Sequence, residues 1–318
     1  MAHQRRLGKK LFKAVLPILL VVVVATGIAL GSIVYGISRP PRQPYLVTPE
    51  SFSQISGSAL KVTDEAWRNR DGSAARGWLL RGAEGAPAVI VLHRYGADRS
   101  WLFNLGIKLN ETTNFTILWP DLRGHGLNPP VTSTGFGNGE GTDLVAAVDF
   151  LRTVKTSSGS QLAGENAGAY GVELGAYAAL SAASQDPRLK VLVLDSVPSD
   201  SDELVNASVI GDVGISNPVL LFMARIATRI YFLGHFENKS SCELAKTLKA
   251  QRILLLAGAD NSPFHDSTAS LVKCFPNPGN LEAKLDLPLT GFTLTSATGE
   301  QGEGYDRPVI DFFNKNLH

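Results

Sequence analysis

The sequence predicts an α/β protein, a doubly wound and mostly parallel sheet with a small helical cap insertion, preceded by one transmembrane helix. Three observations lead there. Short unbroken apolar runs such as Ala88-Val-Ile-Val-Leu92 are the mark of strands buried on both faces. Helical patterns separate these runs, so successive strands are joined by crossovers and run parallel. Residues 14–38 form a stretch of 25 without a charge, and about 20 apolar helical residues suffice to span a bilayer core.

Taken in order, Arg5, Arg6, Lys9, Lys10 and Lys13 precede the apolar stretch, and no acid occurs before Glu50. The positive-inside rule makes residues 1–13 a cytoplasmic basic tail and residues 14–38 the span, with everything after it extracytoplasmic. A cleaved signal peptide shares the basic flank. Its apolar core, however, runs about 7–15 residues and ends at a small-x-small site, which is not evident here. Residues 39–57, opening with Arg39-Pro-Pro-Arg-Gln-Pro44, read as an extended linker. From residue 58 to 318 the chain reads as one domain. Leu60–Arg70 and Ala75–Arg81 flank an Asp71-Gly72-Ser73 turn and predict a starting hairpin. Buried strands follow at Ala88–Leu92, Thr116–Trp119, a run ending at Glu173, Val191–Asp195 and Arg252–Leu256, with a weaker one at Ala283–Leu287. Helical patterns cover Thr142–Val154, Gly175–Ser184 and, last, Pro308–Leu317. Residues 199–246 break the alternation with two helical patterns, the second at Pro218–Phe232, and form the cap.

Composition narrows the function classes. Removing the five basic residues of the tail leaves 25 basic against 29 acidic residues, a formal −4. With no basic stripe, no zinc-type cysteine cluster and no recognised metal or cofactor motif, nucleic acid is not an expected partner and neither a metal nor a cofactor is expected. The two cysteines, Cys242 and Cys274, fall in the extracytoplasmic part; their spacing leaves a disulfide and two buried thiols equally open.

In open sheets of this kind, ligands bind beyond the carboxyl ends of the strands. Those ends read His93-Arg-Tyr-Gly96, Asp121-Leu-Arg-Gly-His-Gly126, Gly171-Val-Glu-Leu-Gly175 and Gly258-Ala-Asp260. Their order and spacing resemble the α/β-hydrolase fold over residues 58–318. The resemblance makes Asp121, Arg123, Gly124 and Gly126 a structural turn, with His125 a turn histidine rather than a base. It makes His93 the start of an oxyanion loop in which Arg94 replaces a glycine, and the backbone N–H groups of Arg94 and Leu174 the oxyanion-hole equivalents. Gly171 and Gly175 flank a nucleophile elbow whose central residue is Glu173, where active relatives carry serine, cysteine or aspartate. Asp260 takes the place of the triad acid, with Asp195 a second candidate one strand earlier. Tyr305 takes the place of the histidine; with an ordinary tyrosine pKa near 10 it is a poor base at neutral pH.

Three departures thus fall on one site, and their chemical types are complementary. An ion pair between Arg94 and Glu173, with a hydrogen bond from Tyr305 to one of the acids, would fill the former active site. The expected function is a membrane-anchored hydrolase-like protein without serine-hydrolase chemistry, acting in binding or scaffolding with room for a small-molecule ligand. The alternatives are an active hydrolase of esters or epoxides that uses Glu173 as nucleophile, and a structural domain without a ligand. Protein partners are not indicated.

Overall fold

A computed structural model describes residues 2–56, 61–233, 236, 238–258 and 262–318. Its sheet contains β1 (Val62–Arg68), β2 (Ala74–Leu80), β3 (Ala88–Leu92), β4 (Thr116–Pro120), β5 (Ala167–Val172), β6 (Leu189–Asp195), β7 (Arg252–Gly258) and β8 (Leu281–Leu287). The order across the sheet is β1-β2-β4-β3-β5-β6-β7-β8. β1–β2 and β2–β4 pair antiparallel, and every later pair is parallel.

The helices are α1 (Ala2–Ile37), α2 (Pro49–Ser56), α3 (Phe103–Thr113), α4 (Glu140–Leu151), α5 (Leu174–Gln185), α6 (Ser201–Ser208), α7 (Pro218–Tyr231), α8 (Ser241–Ala245), α9 (His265–Leu271) and α10 (Gly299–Asn316). Alternate strand residues feed two cores. Ile90, Leu92, Leu192 and Leu194 meet α4 and α5 on one face. Val89, Val91, Val191 and Val193 meet α3 and α10 on the other. Both faces are covered, which is why the strands read as continuous apolar runs rather than as alternating ones.

Two expectations change. Residues 39–56 are not a free spacer. Tyr45 and Phe52 lie edge-on to Trp78 and Phe103, and the Tyr45 hydroxyl donates to Asp121 Oδ2 at 3.0 Å. Aromatic side chains that reach an apolar sheet face gain more there than in water, so the segment lies along the domain. The final helix begins at Gly299 rather than Pro308. Thr298 caps it in a reciprocal box with Gln301, and Pro308 lies inside it.

The apolar helix α1 is the one unbroken helix among the described residues long and apolar enough to cross a membrane, over Lys13–Ile37. Its inner turns are exposed, but Val34, Ile37 and Ser38 are buried. Thr134 N–H donates to the Ser38 carbonyl at 2.9 Å, so the helix end is built into the domain. After β6 the cap runs through α6, a π-helical turn (Val209–Val213), α7 and α8. A disulfide joins Cys242 of α8 to Cys274 just after α9, which decides the question the spacing left open.

Candidate functional site

The elbow lies between β5 and α5. Glu173 has φ 50° and ψ −108°, a backbone conformation that side chains other than glycine rarely adopt. Such a residue costs on the order of 1–3 kcal/mol and persists only where its surroundings hold it. They do so here. Glu173 N–H donates to the Asp195 carbonyl at 2.9 Å. A Cβ on Gly171 would sit 2.3 Å from the Gly175 oxygen, and one on Gly175 would sit 2.5 Å from the Leu92 oxygen. The two glycines are therefore what allow α5 to leave the strand so abruptly, with Leu174 as its first residue. The Glu173 side chain is buried.

His93 closes the adjacent loop and is committed to the backbone. Its Nδ1–H donates to the Arg94 carbonyl at 2.7 Å, and Nε2 accepts from Leu122 N–H at 3.0 Å. Burial pushes its pKa down to about 4. His125 donates from Nδ1 to the Arg123 carbonyl at 2.9 Å, and burial beside His93 pushes it down to about 3. Both rings are neutral structural groups.

The Asp121–Gly126 turn is an ion network. Asp121 Oδ1 accepts from Arg99 N–H at 3.1 Å, and Oδ2 lies 3.5 Å from both Arg76 and Arg99. Arg123 forks onto Asp143 at 2.7 and 2.5 Å and reaches Asp71 at 3.0 Å. A Cβ on Gly126 would collide with the Asp121 carboxyl at 2.3 Å, and Gly124 has φ +80°. The motif holds the sheet edge to the loops.

Arg94, expected to pair with Glu173, is engaged by aromatic rings and the backbone. The Arg94 guanidinium is held between the rings of Trp101 and Phe292, at 4.6 and 4.7 Å, and its Nη1 donates to the Tyr95 carbonyl at 3.0 Å. Ring faces attract a cation when water is excluded. Burial lowers the Arg94 pKa, while the charges of Glu173 and then Asp212 act in the opposite direction through space. Beside it, the Tyr95 hydroxyl lies 2.7 Å from the Ile37 carbonyl oxygen and 2.8 Å from Asp212 Oδ2, sharing its one proton between them.

Tyr305 is also placed differently. Because α10 starts at Gly299, Tyr305 is in the second turn of that helix and not in the loop before it. It is buried, donates to Asp195 Oδ2, and its hydroxyl lies 2.5 Å from that of Tyr170. Burial and the Asp195 charge push the pKa of Tyr305 well above 10, so it does not serve as a base. Asp195 also accepts from Gly291 N–H at 2.7 Å and from its neighbour Ser196 at 2.8 Å. Asp195, the second candidate acid, is thus the carboxylate that Tyr305 meets; Asp260 lies outside the described residues. The loop before α10 meets the elbow's roof through Phe292. Trp101, Phe292 and Asp212 carried no motif. Only the position of Phe292, in the loop between the last strand and the last helix, could have pointed to it.

Among the described residues no cluster of three or more His, Cys, Asp or Glu is arranged to hold a metal. A cleft of about 440 Å³ is bordered by Trp101, Leu46, Asn104, Lys108 and Asp306.

No protein-family model matches the chain, and no curated protein sequence matches it. Solved structures do. An esterase of Pyrococcus furiosus superposes with a TM-score of 0.68 at 18% identity, over 89% of this chain and 99% of its own. Pyrococcus horikoshii acylaminoacyl peptidase superposes with a TM-score of 0.58 at 15% identity, over 86% of this chain and 44% of the peptidase. 2,6-Dihydroxy-pseudo-oxynicotine hydrolase gives 0.58 at 15% identity, over 83% of this chain and 71% of its own. At these identities the likeness is one of fold.

Proposed function

The chain has the α/β-hydrolase fold, and from that premise we propose that it is a membrane-anchored member without serine-hydrolase chemistry, acting in binding or scaffolding. The observation that carries the reading is the elbow itself. Its central side chain is a buried carboxylate, and its charge acts through space on an arginine held by two aromatic rings. Serine catalysis needs a hydroxyl, a base that takes its proton and an orienting acid. Glu173 offers no hydroxyl. The two buried imidazoles nearby are bound to the backbone and pushed far below neutral pKa. An ester formed on Glu173 would have no base among these groups to activate water. Asp195 keeps a tyrosine where a triad would need a histidine. The cleft beside Trp101 offers a place for a small ligand next to the arginine clamp.

The test uses the full-length chain in detergent, because the end of α1 is part of the domain. It is incubated with a fluorophosphonate and with short acyl esters and epoxides, alongside Glu173→Ala. The expected result is no covalent label and equal, background turnover for the two proteins. Turnover abolished by Glu173→Ala would establish the alternative, an active hydrolase with a carboxylate nucleophile. A labelled serine would show that the nucleophile lies elsewhere.

A further inference from the structure

The cap carries an apolar surface that the elbow does not explain. Along α7, Val219, Phe222, Ile226 and Ile230 recur at helical spacing, and Leu233 continues the line just past its end. At 100° per residue these five fall within one narrow stripe. All are exposed, Ile230 to 67% and Leu233 to 83%. The opposite face, with Ala224 and Thr228, is buried against the domain. A soluble monomer rarely leaves such a continuous stripe facing water.

What lies beside the stripe indicates its occupant. α7 packs against α1. On α1 the residues removed from solvent are Thr26, Leu30, Ile33, Val34 and Ile37, one face of its last three turns. If α1 enters the bilayer at Lys13, a core crossed by about 20 residues extends to about Ile33. Part of the α1–α7 contact is then inside the outer leaflet. The 14 residues of α7 measure about 21 Å, too short to cross a core of about 30 Å. α6 with the π-helical turn and α7 meet at 115°, and the corner exposes Ile210 and Val213 as well. Arg225 and Arg229 border the stripe, 4.0 and 2.6 Å from Asp202. Arginine at the margin of an apolar face is the arrangement of helices that lie in a headgroup region.

We infer that α7 is a second membrane element: it lies in the leaflet from which the domain emerges, with the Val219–Leu233 stripe in the acyl region. The inference rests on the reading of α1 as a retained span. The cap of this fold is then held at the lipid surface on the same side as the anchor.

The test is site-directed spin labelling of the full-length chain in lipid nanodiscs. Its two native cysteines are paired, so single cysteines can be introduced at Val22, Ile226, Ile230 and, as an aqueous control, Lys190. Collision with oxygen, which concentrates in lipid, is compared with collision with a water-soluble nickel chelate. The expected oxygen-to-nickel ratio at 226 and 230 is severalfold above that at 190 and approaches that at 22. A lipid-like ratio at 22 with a water-like ratio at 226 and 230 overturns this inference alone. A water-like ratio at 22 overturns the anchor reading on which it rests. Protection from both probes at 226 and 230 means that protein covers the stripe, and also overturns it.

Discussion

Acidification should unfold this protein through two histidines that do no chemistry. His93 and His125 stack edge to face at 5.1 Å, each donating to a carbonyl, and burial holds them at about 4 and about 3. In the unfolded chain both return to about 6.5. The folded pKa values are depressed, so their contribution is fully present above about pH 6.5 and is lost as pH falls toward 4, where only the unfolded state takes up protons. The limiting slope is about 1.4 kcal/mol per pH unit for each ring below about pH 6.5, so from pH 7 to 5 the pair removes about 4 kcal/mol. Urea unfolding of the detergent-solubilised chain, followed by tryptophan fluorescence at both pH values, measures the total. His125→Phe keeps a ring and deletes one titration. It should cost about 1 kcal/mol at pH 7 for the lost hydrogen bond and reduce the pH-dependent loss by about half. Comparing variant with wild type cancels the carboxylates common to both. An equal drop from pH 7 to 5 in the two proteins would refute the argument.

Other perturbations follow from the same contacts. Cys242→Ser opens a bridge across 32 positions and should lower stability by roughly 4 kcal/mol by chain entropy, read as a lower urea midpoint. Gly175→Ala should abolish folding or cost several kcal/mol, because its Cβ meets backbone at 2.5 Å on a strand that cannot shift; retention of the wild-type midpoint would contradict the elbow geometry. Tyr305→Phe leaves a buried carboxylate short of a donor and should cost about 2–3 kcal/mol, read as a lower urea midpoint. The pair Glu173→Ser with Tyr305→His should show no esterase turnover, since position 305 faces Asp195 in the core; measurable hydrolysis of a short acyl ester would show that a histidine there reaches the elbow.

Much of the fold was legible because burial on both faces forces strands into uninterrupted apolar runs, and because tight corners need glycine. Ala88–Leu92, Gly171 and Gly175 read directly. What did not read was where side chains find partners across the fold. The start of α10 was hidden by its composition, Gly299-Glu-Gln-Gly-Glu-Gly304, a poor helix former, and by Pro308, which resembles a first-turn proline. The Thr298–Gln301 box was the available signal. Once the helix starts nine residues earlier, Tyr305 moves from loop to core. For Arg94 charge complementarity pointed to Glu173, whereas the two rings that hold it come from Trp101 and Phe292, far apart in sequence. α2 was marked by Thr48-Pro49-Glu50, a cap followed by a first-turn proline and an acid, within a stretch whose prolines read as linker.

The buried end of α1 bears on how the domain can move. Val34 and Ile37 are core residues, and the Ile37 carbonyl shares the Tyr95 proton with Asp212 beside the arginine clamp. A hinge at this junction would have to open a hydrophobic layer, so the domain cannot swing on α1 as on a string. If α1 is retained in a bilayer, the domain keeps one tilt, free to spin about the membrane normal and to drift sideways. A chain cut at Arg39, by a peptidase or at the bench, would lose that layer together with α1. It would present sticky apolar surface instead of a clean soluble head.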